Sequence, residues 1–364
     1  FDGPLIVLMA VNVDDYFVAH NDPAWHAEFI SNYCKTGTEL VGEGICKRWF
    51  GVNYDWIKDD SGKLISVRMT QGPDILAAIG VFGLLNATTA PSPMDSGYDS
   101  TPVPDTPDYV RPDFEYQSAI GFLLWYSRMT RPDTLTATCL LAQHTKRPGD
   151  RHVKAVKRIF RYMLGTHDYA LVFNLDPDFN PAAINLSVMA DADWAADKIS
   201  RRSMVGYTSV LSGNTTTFAA KHWPTPCLST LEAEYIAMVY AAKEMLFMHY
   251  LFTEMADKFK LVYPIPFFSD SAGAISFAEH DVSNSQTKHI DLRHFFLRHY
   301  IRDELFSINK IDTDTNVSDV FTKPLGIERF QMLVTYIMNT PSVTKLYGLL
   351  RKVLMLNAVR HKKL

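Results

Sequence analysis

The sequence predicts an α/β (α+β) chain in which a mixed sheet carries helices on its faces and the whole divides into several domains. Three observations predict it. At 364 residues the chain exceeds one domain of ~150 residues. Its 47% hydrophobic and 21% charged residues match globular usage and exclude a disordered or collagen-like chain. Apolar, β-branched runs come first, and strand and helix patterns then alternate.

The elements follow in order. Leu5 to Val13 is apolar and β-branched, and Pro23 to Tyr33 reads as a helix. Lys47 to Ile57 and Lys63 to Met69 read as a hairpin whose turn, Asp59 to Gly62, is made of small polar residues that tolerate tight geometry. Pro73 to Leu85 is an amphipathic helix. Pro91, Pro93, Pro102, Pro104, Pro107 and Pro112 then fall in one stretch, a linker or extended strap, because proline lacks the N–H and fixes φ. Residues 114–165 read as helix in two pieces, the second with Val153, Val156, Phe160 and Met163 at helical spacing and Gly165 as a stop. From residue 168 onward, strands are expected at Tyr169 to Leu175, Ile184 to Ala192, Met204 to Ser212 and Thr215 to Trp223. A long helix follows at Leu228 to Ala256, then a strand at Pro264 to Asp270, helices at Ser271 to His280 and Lys288 to Leu305, and a strand at Ser307 to Asp312. A last helix opens at Asp314 to Lys323.

Several function classes drop out. The apolar run Leu5 to Val13 is broken by Asn12 and halted by Asp14, and a membrane span needs about 20 residues, so no membrane role is expected. Asp2 precedes that run with no basic leader, so no signal peptide is expected, and the first residues read as the interior of something longer. Cys34, Cys46, Cys139 and Cys227 form no CxxC pair and suit neither zinc nor a disulfide framework, which points to an intracellular protein with reduced thiols. The net charge of −4 does not announce a nucleic-acid binder, but clustered basic residues outweigh net charge.

The chemistry lies in four acids. Asp191 ends an apolar strand and Asp270 ends another; Glu234 sits in the first turns of the long helix, and Asp319 opens the last one. Acids at strand ends and helix starts converge on one edge of an alternating sheet, and four carboxylates there repel unless hard cations such as Mg²⁺ neutralise them. Taken singly, each is also explained as a cap or a turn residue.

These acids sit in stretches that resemble a known family. Ala190 to Gly213, Leu228 to Glu244, Phe267 to Ala278, Thr287 to Ile301 and Ser318 to Leu325 resemble, in order, the ribonuclease H domain of copia-type LTR retrotransposon Pol polyproteins. The resemblance implies that Asp191, Glu234, Asp270 and Asp319 are catalytic carboxylates holding two Mg²⁺ or Mn²⁺ ions. Asp193 and Glu232 rank below them as alternatives. Ser271 stands where the family usually has Asn beside the third acid. Val11 to His20 resembles the reverse transcriptase palm hairpin, which implies a polymerase metal site at Asp14 and Asp15. Tyr116 to Phe173 resembles the region joining palm to ribonuclease H. The implied domains are a partial palm at 1–90, a Pro-rich linker at 91–113, a helical thumb or connection region at 114–180, a ribonuclease H-like domain with a mixed five-stranded sheet at 181–340, and a basic C-terminal helix at 341–364. The fingers and first palm half would precede residue 1, so no polymerase activity is expected of this chain alone.

The implied activity is ribonuclease H-type cleavage of the RNA strand of an RNA–DNA hybrid. The rival is an exapted, non-catalytic scaffold or RNA-binding component of a larger assembly, with protein partners covering the open palm edge. The expected nucleic-acid surface is the basic face of the helix at 149–165, with Lys154, Lys157, Arg158 and Arg161 spaced to track phosphates, joined by Ser271 and His289. A second basic cluster is Lys288, Arg293, Arg298 and Arg302.

Overall fold

The computed structural model describes residues 5–35, 44–255, 257–279 and 291–338. The first elements form an antiparallel hairpin, β1 (Val7–Asn12) and β2 (Asp15–His20), closed by a two-residue turn in which Val13 takes φ 57°. Leu8, Met9 and Val11 remain exposed on it, while Phe17 packs against Trp49 and Tyr54 with ring centroids 5.5 Å apart. Helix α1 (Pro23–Cys34) starts where the Asp22 carboxylate accepts from the N–H groups of Ala24 and Trp25, with Pro23 suited to the first turn.

Strands β3 (Arg48–Trp49), β4 (Val52–Lys58) and β5 (Leu64–Thr70) form the expected hairpin. Its turn is held by the Asp59 carboxylate, which accepts from Ser61 and Lys63 N–H at 2.9 Å each, with Gly62 at φ 82°. Helix α2 (Gly72–Val81) follows.

The helical region is in more pieces than expected: α3 (Tyr116–Met129), a 3₁₀ turn Pro132–Thr134, α4 (Leu135–Ala142) and α5 (Asp150–Gly165). Pro132 makes the extra break, since it cannot donate into the helix ladder. Fully buried Arg131 fixes the break in place. Its guanidinium donates to both Asp133 carboxylate oxygens at 3.0 and 2.7 Å and to the Thr166 carbonyl at 2.9 Å, and the Tyr162 hydroxyl adds a bond to Asp133 at 2.7 Å.

The Pro-rich stretch is a strap and runs over α5. Arg158 donates to the Ser92 carbonyl at 3.2 Å and pairs with Asp95 at 2.8 Å; Arg161 donates to the Thr88 carbonyl. Arg151 pairs with Asp99 at 3.3 Å, Arg147 pairs with Asp105, and the Lys157 ammonium lies 5.2 Å from the Phe114 ring centroid. The basic face therefore carries its own cover.

Strand β6 (Leu171–Asn174) departs from the expected grouping. It pairs with β5, completing a four-stranded sheet in the order β3-β4-β5-β6. The later strands form a mixed five-stranded sheet: β7 (Leu186–Asp193), β8 (Met204–Leu211), β9 (Asn214–His222), β10 (Ile265–Ser269) and β11 (Phe306–Lys310), in the order β11-β10-β7-β8-β9. β7, β8 and β9 are antiparallel; β10 and β11 run parallel to β7. This is the expected mixed five-stranded sheet, with Asp191 in β7 and Asp270 directly after β10 beside it.

Central β7 alternates its side chains between two cores. Val188 and Ala190 face α6 (Thr230–Glu254), α7 (Ala272–Glu279) and α8 (Asp291–Arg302). Met189 faces α3, α4, α5 and α9 (Ile327–Ile337). Asp319 lies in a 3₁₀ turn, Val317–Phe321, ahead of α9 and not in its first turn, which corrects the expectation of a helix opening there. Among the described residues no helix is long and apolar enough to cross a membrane. The expected basic C-terminal helix at 341–364 and His289 lie outside the described residues.

Candidate active site

Asp191 is on β7, the central strand of the five, and is 2% exposed. Asp270 follows the last residue of β10 next to it. Glu234 is on the first turns of α6, which crosses β7. The ligand oxygens of Asp191, Glu234 and Asp270 all lie within 4.8 Å of one another. Parallel pairing of β10 to β7 brings the two aspartates to the same sheet edge, and α6 drops the glutamate between them.

The two glutamates of the α6 start have different tasks. Ser229 Oγ accepts from Glu232 N–H at 3.1 Å, and the Glu232 carboxylate accepts from Leu228 N–H at 2.6 Å. That reciprocal arrangement is a capping box, so Glu232 serves the helix. Glu234, two residues on, turns toward the aspartates, and its buried Oε2 has no hydrogen-bond partner among the described residues.

Asp319 stands beside this cluster, fully buried, with a cation on each oxygen. Lys323 Nζ lies 2.8 Å from Oδ1, and Arg329 donates to Oδ2. Lys323 also reaches Asp191 Oδ2 at 3.7 Å, and Thr322 Oγ1 donates to the same oxygen. Sequence reasoning missed Thr322, Lys323 and Arg329 as part of the site. The Asp319–Lys323 spacing of four residues was the available signal. Gly206, also missed, makes the close approach possible. It pairs with Asp191 across the β7–β8 ladder, and a Cβ there would lie 2.6 Å from Phe321 Cβ and 2.8 Å from the Phe321 carbonyl oxygen. Only a glycine lets the 317–321 turn rest on β8 so closely.

The electrostatics match a crowd of like charges. Burial, then the charge of Asp319, pushes the Asp191 carboxyl up to about 7, against the pull of Lys323. Burial, then Asp191 and Asp270, pushes Glu234 up to about 9. Asp193 is raised too, chiefly by burial. Burial disfavours the Lys323 ammonium, but Asp191 and Asp319 outweigh it and raise its pKa.

A stability test follows with a fixed sign. With both acids raised, the folded chain holds protons that the unfolded chain, titrating near pH 4, has released. Unfolding stability without divalent ions is then expected to fall as pH rises from about 4 toward 7 for Asp191 and toward 9 for Glu234. Urea midpoints across that range should show the decline, and Glu234→Gln should flatten its upper part. Equal slopes in the two proteins would contradict it.

The other expected site residues are placed as follows. Ser271 Oγ accepts from Ala274 N–H at 3.3 Å, capping α7 beside Asp270. Asp14 lies in the β1–β2 turn and Asp15 opens β2; among the described residues no third His, Cys, Asp or Glu joins them. Lys154 is exposed on α5, and Lys157 faces Phe114. Arg158 and Arg161 are engaged by the strap, a correction to the expectation of an open phosphate-tracking face. Arg298, from the second basic cluster, is buried and donates to the Phe277 carbonyl at 3.2 Å, so it braces α8 on α7.

The residues fit a divalent cation. Three carboxylates converge, and one buried oxygen lacks a hydrogen-bond donor among the described residues.

No protein-family model matches the sequence. Over 331 residues, 90% of the chain, it is 29% identical to the "Retrovirus-related Pol polyprotein from transposon RE1" of Arabidopsis thaliana, of which it covers 21%. Over 220 residues, 60% of the chain, it is 34% identical to the corresponding polyprotein from transposon TNT 1-94 of Nicotiana tabacum, of which it covers 16%. The chain thus spans about a fifth or less of the length of these curated relatives. Among solved structures, the LC11 ribonuclease H1 isolated from compost aligns with 41% of the chain and 98% of its own, at 13% identity and a TM-score of 0.28.

Proposed function

We propose, from its similarity to the Pol polyproteins of transposons TNT 1-94, RE1 and RE2, that the chain is a copia-type Pol fragment and a ribonuclease H-type endonuclease that hydrolyses the RNA strand of an RNA–DNA hybrid. The observation that carries this reading is the convergence of Asp191, Glu234 and Asp270 within 4.8 Å on one edge of the five-stranded sheet. The activity is assigned to residues 181–340, with 1–90 as a partial palm, 91–113 as the Pro-rich segment, 114–180 as the connection and 341–364 as a basic tail.

Asp191, Glu234 and Asp270 would hold Mg²⁺ or Mn²⁺, with Asp319 contributing to a second seat. Bound there, such ions lower the pKa of water and neutralise charge on the scissile phosphodiester. The chain's own residues do the rest. Thr322 fixes the rotamer of Asp191 through its hydroxyl. Arg329 and Lys323 pair with the two carboxylate oxygens of Asp319 in a fully buried position. Burial of Asp191 and Asp319 keeps these two carboxylates in a low-dielectric setting in which charge acts strongly. Ser271, exposed Lys154 and half-buried Lys157 are proposed contacts to the nucleic-acid backbone, and His289 a further one. A metal site at Asp14 and Asp15 belongs to the polymerase half of the reading and needs acids from elsewhere.

The test is single-turnover cleavage of an end-labelled RNA–DNA hybrid by the purified chain. Cleavage of the RNA strand in Mg²⁺ or Mn²⁺, abolished by EDTA, is the expected result. No cleavage in either ion would overturn the enzyme reading and favour a scaffold, for which the exposed Met9 and Val11 face of the β1–β2 hairpin offers a protein-binding surface.

A further inference from the structure

The four acids do not form two equivalent cation seats. Asp191, Glu234 and Asp270 face one another with no cationic side chain paired to Glu234 or Asp270 among the described ion pairs, and Glu234 Oε2 lacks a donor. Between Asp191 and Asp319 the situation is reversed. The Lys323 ammonium sits there, 2.8 Å from Asp319 and 3.7 Å from Asp191, and Arg329 takes the other Asp319 oxygen.

We propose that Lys323 is an internal counter-ion that closes the Asp191–Asp319 seat, so that divalent ions load in a fixed order. The first ion enters between Asp191, Glu234 and Asp270. The second enters between Asp191 and Asp319 only when Lys323 withdraws. This rests on reading the cluster as a divalent-ion site.

The physical reasons are charge and room. An ammonium and a divalent cation cannot share a gap of hydrogen-bond dimensions, since both are cations a few ångströms apart in a poorly screened setting. Lys323 is suited to leaving. Its side chain is 34% exposed, its stem is flexible, and it is a single point charge with rotatable donors. Arg329 is not suited to that part. It contacts Asp319 on Oδ2, the oxygen that Lys323 does not take, and makes no ion pair with Asp191 among the described residues. The two residues thus carry the same charge toward Asp319 but differ in whether they occupy the gap.

That difference supplies the experiment, read by Mn²⁺ binding and not by cleavage. Free Mn²⁺ is counted by electron paramagnetic resonance as it is titrated into the full chain and into Lys323→Gln, Lys323→Met and Arg329→Gln. Thermal unfolding of each protein checks that it is folded. The wild-type chain should bind one ion tightly and a second at least about tenfold more weakly. Lys323→Gln and Lys323→Met should strengthen the second event by about tenfold or more and the first by less. Arg329→Gln should move the second event much less than either Lys323 variant does.

Each alternative outcome decides something. Two equal events in the wild type would overturn the proposal without any variant. If the wild type binds Mn²⁺ but the Lys323 variants leave the second event unchanged, the metal site stands and the gate falls. Equal gains from Arg329→Gln and Lys323→Gln would reduce Lys323 to background charge and overturn the gate. No Mn²⁺ binding by any of the four proteins would remove the metal reading and the gate together.

Discussion

Asp191→Asn is expected to lower single-turnover cleavage of an RNA–DNA hybrid in Mg²⁺ by at least ~10²-fold, since a positioned electrostatic group commonly supplies a few kcal/mol of transition-state stabilisation. Asp191 is the acid that touches most of the others. It shares the three-carboxylate cluster, takes the Thr322 hydroxyl and lies within reach of Lys323. Asparagine keeps its shape and its acceptor oxygen, so Thr322 retains a partner, but the negative charge is gone. Folding should survive. The substitution removes one of several mutually repelling acids, and burial, then the charge of Asp319, is what pushes this carboxyl up to about 7. An unfolding midpoint equal to or above that of the parent, together with lost cleavage, would separate charge from structure. Asp14→Asn is the matched control, since the β1–β2 turn belongs to a different part of the molecule. Equal loss in both variants would point to misfolding or to a contaminating nuclease.

The second large effect is on stability. Arg131→Met should cost about 3–5 kcal/mol, the range for breaking a buried ion pair by removing one partner. Both Arg131 and Asp133 have side chains without solvent exposure, and their bidentate contact is reinforced by Thr166 and Tyr162. Without the guanidinium, Asp133 keeps only the Tyr162 hydroxyl among these contacts and stays buried with its charge. The loss should reach the active site as well. Thr136, in the helix that follows, donates to the Val320 carbonyl at 2.6 Å, inside the turn that carries Asp319. Urea unfolding should show the loss, and Arg131→Met combined with Asp133→Asn should recover part of it, because the orphaned charge is then removed. A loss below about 1 kcal/mol would mean that water or a rearranged neighbour compensates Asp133.

What was legible beforehand divides by the range of the interaction. The strand around Asp191 reads correctly because both faces of β7 are buried, which leaves a near-continuous apolar run ended by an acid. Placing Asp270 on the neighbouring strand follows from the same pattern. Glu234 ranks above Glu232 on its resemblance to the family's helix pattern, whereas the Ser229–Glu232 capping-box spacing, equally present in the sequence, went unread. Strand β6 reads as a strand inside the 114–180 connection with no partner named, because its apolar residues say that it is a strand and nothing about which edge it joins. Its partner β5 lies about a hundred residues earlier.

The basic helix shows the same limit. Its charges are plain in the sequence, but their occupation by Ser92, Asp95, Asp99 and Asp105 depends on how the Pro-rich strap is laid across it. Lys323 and Arg329 were overlooked because a lysine and an arginine near a candidate metal ligand look like surface charge until the turn is seated on Gly206. Short-range chemistry is therefore visible in the motifs, and the long-range pairing that tunes it is not.

The central claim is that Asp191, Glu234 and Asp270 hold a divalent cation. The most direct measurement is anomalous diffraction from a crystal of the chain grown with Mn²⁺. A peak between these three carboxylates, with Glu234 Oε2 turned onto it, is the predicted result. Three carboxyls hydrogen-bonded to one another with no anomalous peak between them, at a Mn²⁺ concentration that saturates other sites on the protein, would contradict it.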